Sequence, residues 1–204
     1  MAFEWDAPED AETGSGNWLK EPGTYHFIVT GVEEEPKDSN KNPLGGFRVN
    51  CQALAGTTKD QESRTFDIMF FNAKLTEKNE GLFKRKQQAR FFIATNILKD
   101  VHGQKGLKID LQQATAQQAI CTLEKGMKDG KETGYLQLAF ANIWHVDDPD
   151  AASFPKCEKS LKLIPASGRR KPESFKKKNG DEDSGTAGSG AKPSPTSPVD
   201  LSSI

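Results

Sequence analysis

Residues 46–55, Gly-Phe-Arg-Val-Asn-Cys-Gln-Ala-Leu-Ala, alternate without a break: Phe47, Val49, Cys51 and Ala53 in one phase, Arg48, Asn50 and Gln52 in the other. Successive side chains of a strand point to opposite faces, so this run predicts a strand with one buried and one outward face. The same period recurs along the chain. Tyr25, Phe27 and Val29 alternate with His26 and Thr30; Phe66, Ile68 and Phe70 alternate with Asp67, Met69 and Phe71; Leu136, Leu138 and Phe140 alternate with Gln137, Ala139 and Ala141. A further strand is expected over residues 119–125. Turn formers bound these runs, among them Pro22-Gly23 and the Asn/Pro/Gly stretch before Gly46. Gly31 falls where Val32 takes up the other phase, which predicts a bulge or sharp bend.

Between the third and fourth of these strands the period changes. Phe83, Arg90, Ala94, Ile97 or Leu98, and Val101 recur at helical spacing, and His102-Gly103 fits a glycine C-cap. A helical turn is expected to open at Asp110. Three strands, a helix and two more strands is the order of an OB-fold, a small partly open barrel. A parallel α/β fold would need helices after most strands. The expected fold is therefore mainly β, a five-stranded OB-fold barrel with a helix between strands 3 and 4 and disordered termini.

The 204 residues fit one domain with tails, or two very small domains. Residues 1–20 read as a flexible acidic arm, with Trp18 placed to cap one end of the core. Residues 21–150 read as the barrel, and 151–165 as a strap that would pack Phe154, Leu161 and Leu163 on it. From 166 to 204 the composition cannot bury enough apolar surface to order itself. No apolar run is long enough to cross a membrane, and the acidic N-terminus has no signal-peptide core, so a cytoplasmic protein is expected. Cys51, Cys121 and Cys157, and His26, His102 and His145, lack ligand or disulfide-framework spacing. Neither a metal nor a cofactor is expected. No nucleophile elbow or phosphate-binding loop occurs. Neighbouring acids such as Asp147-Asp148 would point to opposite faces of a strand, so catalysis is not expected.

Charge is segregated although the net formal charge is only −1. Basic residues dominate from Lys74 to Lys108 and again from Lys156 to Lys178, while the opening segment and Glu33-Glu34-Glu35 are acidic. Such segregation points to a polyanionic partner.

The runs "EPGTYHFIVTGVEEE", "GGFRVNCQALAG", "RTFDIMFF" and "IDLQQATAQQAICTLEKG", leading to "GYLQLAFANIWHVDD", together resemble the OB-fold proteins that bacteriophages encode beside recombination and replication genes. The resemblance covers roughly residues 20–150. It implies single-stranded DNA binding in the service of replication or recombination. The chain departs from one familiar pattern: bacterial single-stranded DNA-binding proteins end in an acidic tip closed by Pro-Phe. Here the last residues are Pro-Val-Asp-Leu-Ser-Ser-Ile.

On an OB barrel the outer faces of strands 2 and 3 form the oligonucleotide groove. The candidate nucleic-acid-binding residues are Arg48, Asn50 and Gln52 on strand 2, Phe71 and Lys74 at the end of strand 3, and Lys84, Arg85 and Arg90 on the helix. Arginine and lysine meet phosphates, amides meet base edges, and an exposed ring stacks on a base. The same residues have a plain alternative as a solvated sheet face, a ring covering the barrel end and a charged helix surface. Trp144 and Tyr135 are read as core or rim. Expected partners are single-stranded DNA, with RNA not distinguished, and a replication or recombination protein reached through the C-terminal tail. A homo-oligomer is left open. The competing function is a non-catalytic protein-interaction or assembly module.

Overall fold

A computed structural model describes residues 17–72, 82–99, 107–128 and 130–175. It is mainly β. Five strands, β1 (Gly23–Glu34), β2 (Gly46–Gly56), β3 (Thr65–Phe71), β4 (Gln118–Lys128) and β5 (Lys131–His145), form one antiparallel sheet in the order β3-β2-β1-β4-β5. The helix α1 (Leu82–Ala94) lies between β3 and β4 in sequence, and a short helix α2 (Glu158–Leu161) follows the sheet. Among the described residues no ladder joins the edge strands β3 and β5.

The alternating runs produce the core as the period requires. Phe47, Val49, Cys51 and Ala53 of β2 face inward with Tyr25, Phe27 and Val29 of β1 and Phe66, Ile68 and Phe70 of β3. The register shifts between Val29 and Gly31, where the phase change had marked a bulge. α1 enters this core through Phe91, whose ring centroid lies 4.9 Å from that of Phe70 and 5.9 Å from that of Phe47. A 3-10 turn over Leu111–Ala114 is capped by the Asp110 carboxylate, which accepts the Gln112 N–H. Leu19, not Trp18, enters the core; the Trp18 side chain stays exposed.

α1 stops at Ala94, well short of the expected cap at His102-Gly103, which lies outside the described residues together with Val101. Asn96 takes a left-handed conformation (φ +60°), and the Leu98 N–H reaches back to the Phe92 carbonyl at 3.1 Å. These are the marks of a helix terminus. The Asn96 side chain donates to the Gly168 carbonyl (3.0 Å) and accepts from Arg170 Nε (2.7 Å). The end of the helix is thus fixed by the distant segment after β5. Asn96→Ala loses both hydrogen bonds and the residue's tolerance of positive φ. It is expected to cost about 2 kcal/mol in equilibrium denaturation.

That segment is a strap over the outer face of β1, β4 and β5. His26, Ile120 and Trp144 are cross-strand neighbours there, and Phe154 and Leu161 cover them. The expected burial holds for Leu161, and Phe154 packs on Trp144 with ring centroids 5.0 Å apart, whereas Leu163 is exposed. His26, outward by alternation, is completely buried because the strap lies on it. Its Nδ1 accepts the Cys157 N–H at 3.0 Å. Residues 166–175, expected to belong to a disordered tail, form 3-10 turns at Ala166–Gly168 and Pro172–Phe175. Composition missed them because two arginines hold them from the side. Arg169 donates to Asp147 (2.9 Å), and Arg170 to Asn96 and to the Leu98 carbonyl (2.9 Å). No helix among the described residues is long and apolar enough to cross a membrane.

Candidate nucleic-acid interface

The strap covers one half of the outer sheet face and leaves the β2–β3 half open. Arg48, Asn50 and Gln52 lie on that open half, half-buried and facing outward. Opposite them across the ladder stand Met69, Asp67 and Thr65. The row is not simply basic. Arg48 donates to Glu33 on β1 at 3.0 Å, and Gln52 donates to the Ser63 carbonyl at 3.2 Å. Burial raises the Asp67 carboxyl above its ordinary value, Arg48 pulls it down and Glu33 pushes it up. This part of the face therefore carries alternating charge and amide groups and suits hydrogen bonding better than phosphate attraction.

Phe71 continues the same face, two residues beyond Met69, and its ring is exposed. Lys84 Nζ sits 5.4 Å from the Phe71 ring centroid, and Gln88, one turn later, donates to the Phe71 carbonyl at 3.0 Å. Residues four apart lie on one side of a helix, so Lys84 and Gln88 hold α1 to the end of β3. Phe83 and Gln87 make the neighbouring pair. Gln87 donates to the Phe140 carbonyl, and the Phe83 and Phe140 rings stand 4.8 Å apart. The first turns of α1 thus bridge β3 to β5, with three exposed rings on and beside them. The helix sequence, Leu-Phe-Lys-Arg-Lys-Gln-Gln-Ala-Arg-Phe-Phe-Ile-Ala, contains no acid. Lys84, Arg85 and Lys86 are exposed beside the rings.

Phe140 is the residue that periodicity misplaces: alternation groups it with Leu136 and with Leu138, which is buried. In β5 the pairing runs from Leu123–Leu138 to Cys121–Ile143, so extra residues of β5 stand opposite one step of β4. Phe140 sits in that bulge with φ +48° and 60% of its surface exposed. No glycine or proline marks residues 139–142, so nothing local signalled the reversal. A left-handed conformation is costly for an aromatic residue, about 1–3 kcal/mol, and such outliers gather at functional sites.

The remaining candidates separate. Arg90 is two helical turns beyond Phe83 and faces Asp148 and Asp150 across a cavity, away from the Phe71–Lys84 pair. Lys74 lies outside the described residues. Trp144 is half-buried against Phe154, as a rim residue would be, but Tyr135 is exposed. With Trp18 it flanks a groove of about 640 Å³ between the β3 and β5 edges. Among the described residues no group of three His, Cys, Asp or Glu side chains is placed to hold a metal ion. Comparison of the sequence with protein-family models and with curated proteins gives no match.

Proposed function

We propose that the chain is a single-stranded nucleic-acid-binding protein of OB type, acting in DNA replication or recombination as the phage-protein resemblance implies. The observation that carries the reading is the grouping of Phe71, Phe83 and Phe140 around an acid-free helix turn bearing Lys84, Arg85 and Lys86. Single-strand binding combines such rings, on which bases stack regardless of sequence, with cations that follow the backbone. Arg48, Asn50 and Gln52 extend the track over the β2–β3 face, where amides and a paired arginine meet base edges. The strand order, with α1 packed against β3 and β5, supports a partly open OB barrel, on which the outer faces of strands 2 and 3 would form the groove.

The test is binding of a labelled oligo-dT at several salt concentrations. If about four phosphates are neutralised, the single-strand salt slope is about −2.8, a loss of several hundred-fold per decade of salt. The double variant Lys84→Glu/Arg85→Glu is expected to flatten that slope by about half. No binding even at low salt would end the proposal.

One observation favours the protein-interaction alternative. The β3 and β5 edges border the Trp18–Tyr135 groove. The β3 edge is paired at Thr65 with residues 17–19 and, among the described residues, is joined to β5 by no ladder. A sheet edge beside exposed aromatic side chains can accept an extended peptide. Absence of oligonucleotide binding, with pull-down of a peptide lost on Tyr135→Ala, would favour that reading.

A further inference from the structure

The face of α1 that meets β5 carries Phe83, Gln87, Arg90 and Ala94, spaced three or four residues apart. It leads from the Phe83–Phe140 ring pair directly into a cavity of about 500 Å³. Seven residues of helix advance about 10 Å, so Arg90 stands about one to two nucleotide steps from the first stacking ring. The cavity walls are built and braced. Trp144 is fixed by Phe154, and Phe175 lies against the His145 ring (centroids 5.7 Å apart) and beneath the Arg170 guanidinium (6.0 Å). Arg90 stands on the rim, with Asp148 and Asp150 on the wall opposite the helix.

We infer that this cavity receives a single unstacked guanine base of the bound strand. The inference rests on the single-strand reading above and names what the end of the track recognises. Guanine alone among the four bases presents two adjacent N–H donors, the ring imino and the exocyclic amino group, on its Watson–Crick edge. A carboxylate accepts two parallel hydrogen bonds from such an edge. Asp148 Oδ1 accepts the Asp150 N–H at 3.0 Å, which orients the Asp148 carboxylate and leaves acceptor capacity for a ligand. The aromatic walls take the flat faces of the base, and Arg90 takes the phosphate at the mouth. A lysine or arginine side chain from a protein would also suit two acids and two rings, but Arg90 on the rim opposes a cationic guest.

The experiment is titration of the full chain with dGMP, dAMP, dCMP and dTMP separately, read by calorimetry, followed by oligonucleotides carrying one dG in a dT run. The expected result is dGMP binding about tenfold tighter than the other three, the scale of one good bidentate base contact. Asp148→Asn should remove the preference while oligo-dT binding and its salt slope stay as in the unchanged chain. Phe175→Ala should weaken dGMP and leave oligo-dT unaffected. Equal affinities for the four nucleotides, or saturation by a lysine-containing peptide instead, overturns the inference. If oligo-dT still binds in that case, the single-strand reading stands and only the guanine pocket falls.

Discussion

Replacing Phe71, Phe83 and Phe140 with alanine together is expected to lower affinity for a single-stranded oligonucleotide by at least about a hundredfold. Base–aromatic stacking contributes about 1–3 kcal/mol per base, so each ring alone should be worth about tenfold. The sharpest version of the experiment is Phe140→Gly. At φ +48° a glycine relieves backbone strain, and the Phe140 ring is mostly exposed, so little buried area is lost. If the ring serves binding, Phe140→Gly keeps stability within about 1 kcal/mol of the parent, measured by chemical denaturation, and loses about tenfold in affinity. If the ring only props the helix on β5, stability falls and affinity does not. The second pattern would remove the main support for a nucleic-acid interface. On the proposed reading the rings supply what the Arg48 row lacks. Arg48 is held by Glu33, and its neighbour Asp67 adds negative charge, so that part of the sheet offers directional contacts and little net attraction.

The second large effect concerns pH. His26 and His145 are both buried and both have pKa values lowered to about 4. For His26 burial is the main cause, the polar Gln118 side chain nearby opposes it, and the Lys156 charge lowers it further. For His145 burial again leads, then Arg170; Asp147 and the Gly168 carbonyl pull the other way, and Arg169 lowers it further. Each ring is needed in its neutral form. His26 Nδ1 accepts the Cys157 N–H, and His145 Nδ1 accepts the Asp147 N–H at 3.1 Å. In the unfolded chain both titrate near 6.5. Between about pH 6.5 and 4 the unfolded chain therefore binds protons that the folded chain refuses, and stability falls as pH falls through that window. Going from pH 7.5 to 5 should cost about 2 kcal/mol per histidine, about 4 in total, a large share of a typical domain's margin. Denaturant titrations at the two pH values check this. His26→Gln and His145→Gln should each remove about half of the difference. A profile unchanged by both substitutions would mean that the strap is not anchored through these rings. Asp147 acts lower on the scale. Burial would raise it, but its hydrogen bonds from Arg169 and Arg170 outweigh that and hold it below its ordinary value. Its contribution is present above the ordinary carboxylate range and is lost only as pH falls through the lowered pKa.

The strap also bears on function. It covers the outer face around His26, Ile120 and Trp144, and on the proposed reading that leaves an extended ligand the β2–β3 half of the sheet and the first turns of α1. Its last turn, Pro172–Phe175, forms one wall of the Arg90 cavity. Acid release of the strap would then loosen the cavity while leaving the Phe71–Lys84 contact in place.

Read from the chain alone, the strands of the sheet, the helix between β3 and β4 and the outward row at 48, 50 and 52 were legible. Each depends on a local period that one buried face imposes. The Gly31 bulge and the Asp110 cap were legible for the same reason, because each leaves a mark in the residues at the spot. The end of α1, the burial of His26, the ordered turns after Ala166 and the outward turn of Phe140 were not. Asn96 stops the helix because Arg170 and Gly168, more than seventy residues away, use its side chain. His26 is buried because the segment around Cys157 lies over it. Phe140 faces solvent because β5 carries residues that β4 does not match, a discrepancy between two strands that neither one records. Local periodicity decides which side of an element is apolar. Only the meeting of distant segments decides which outer surface stays open, and that decision placed the aromatic side chains beside the cations.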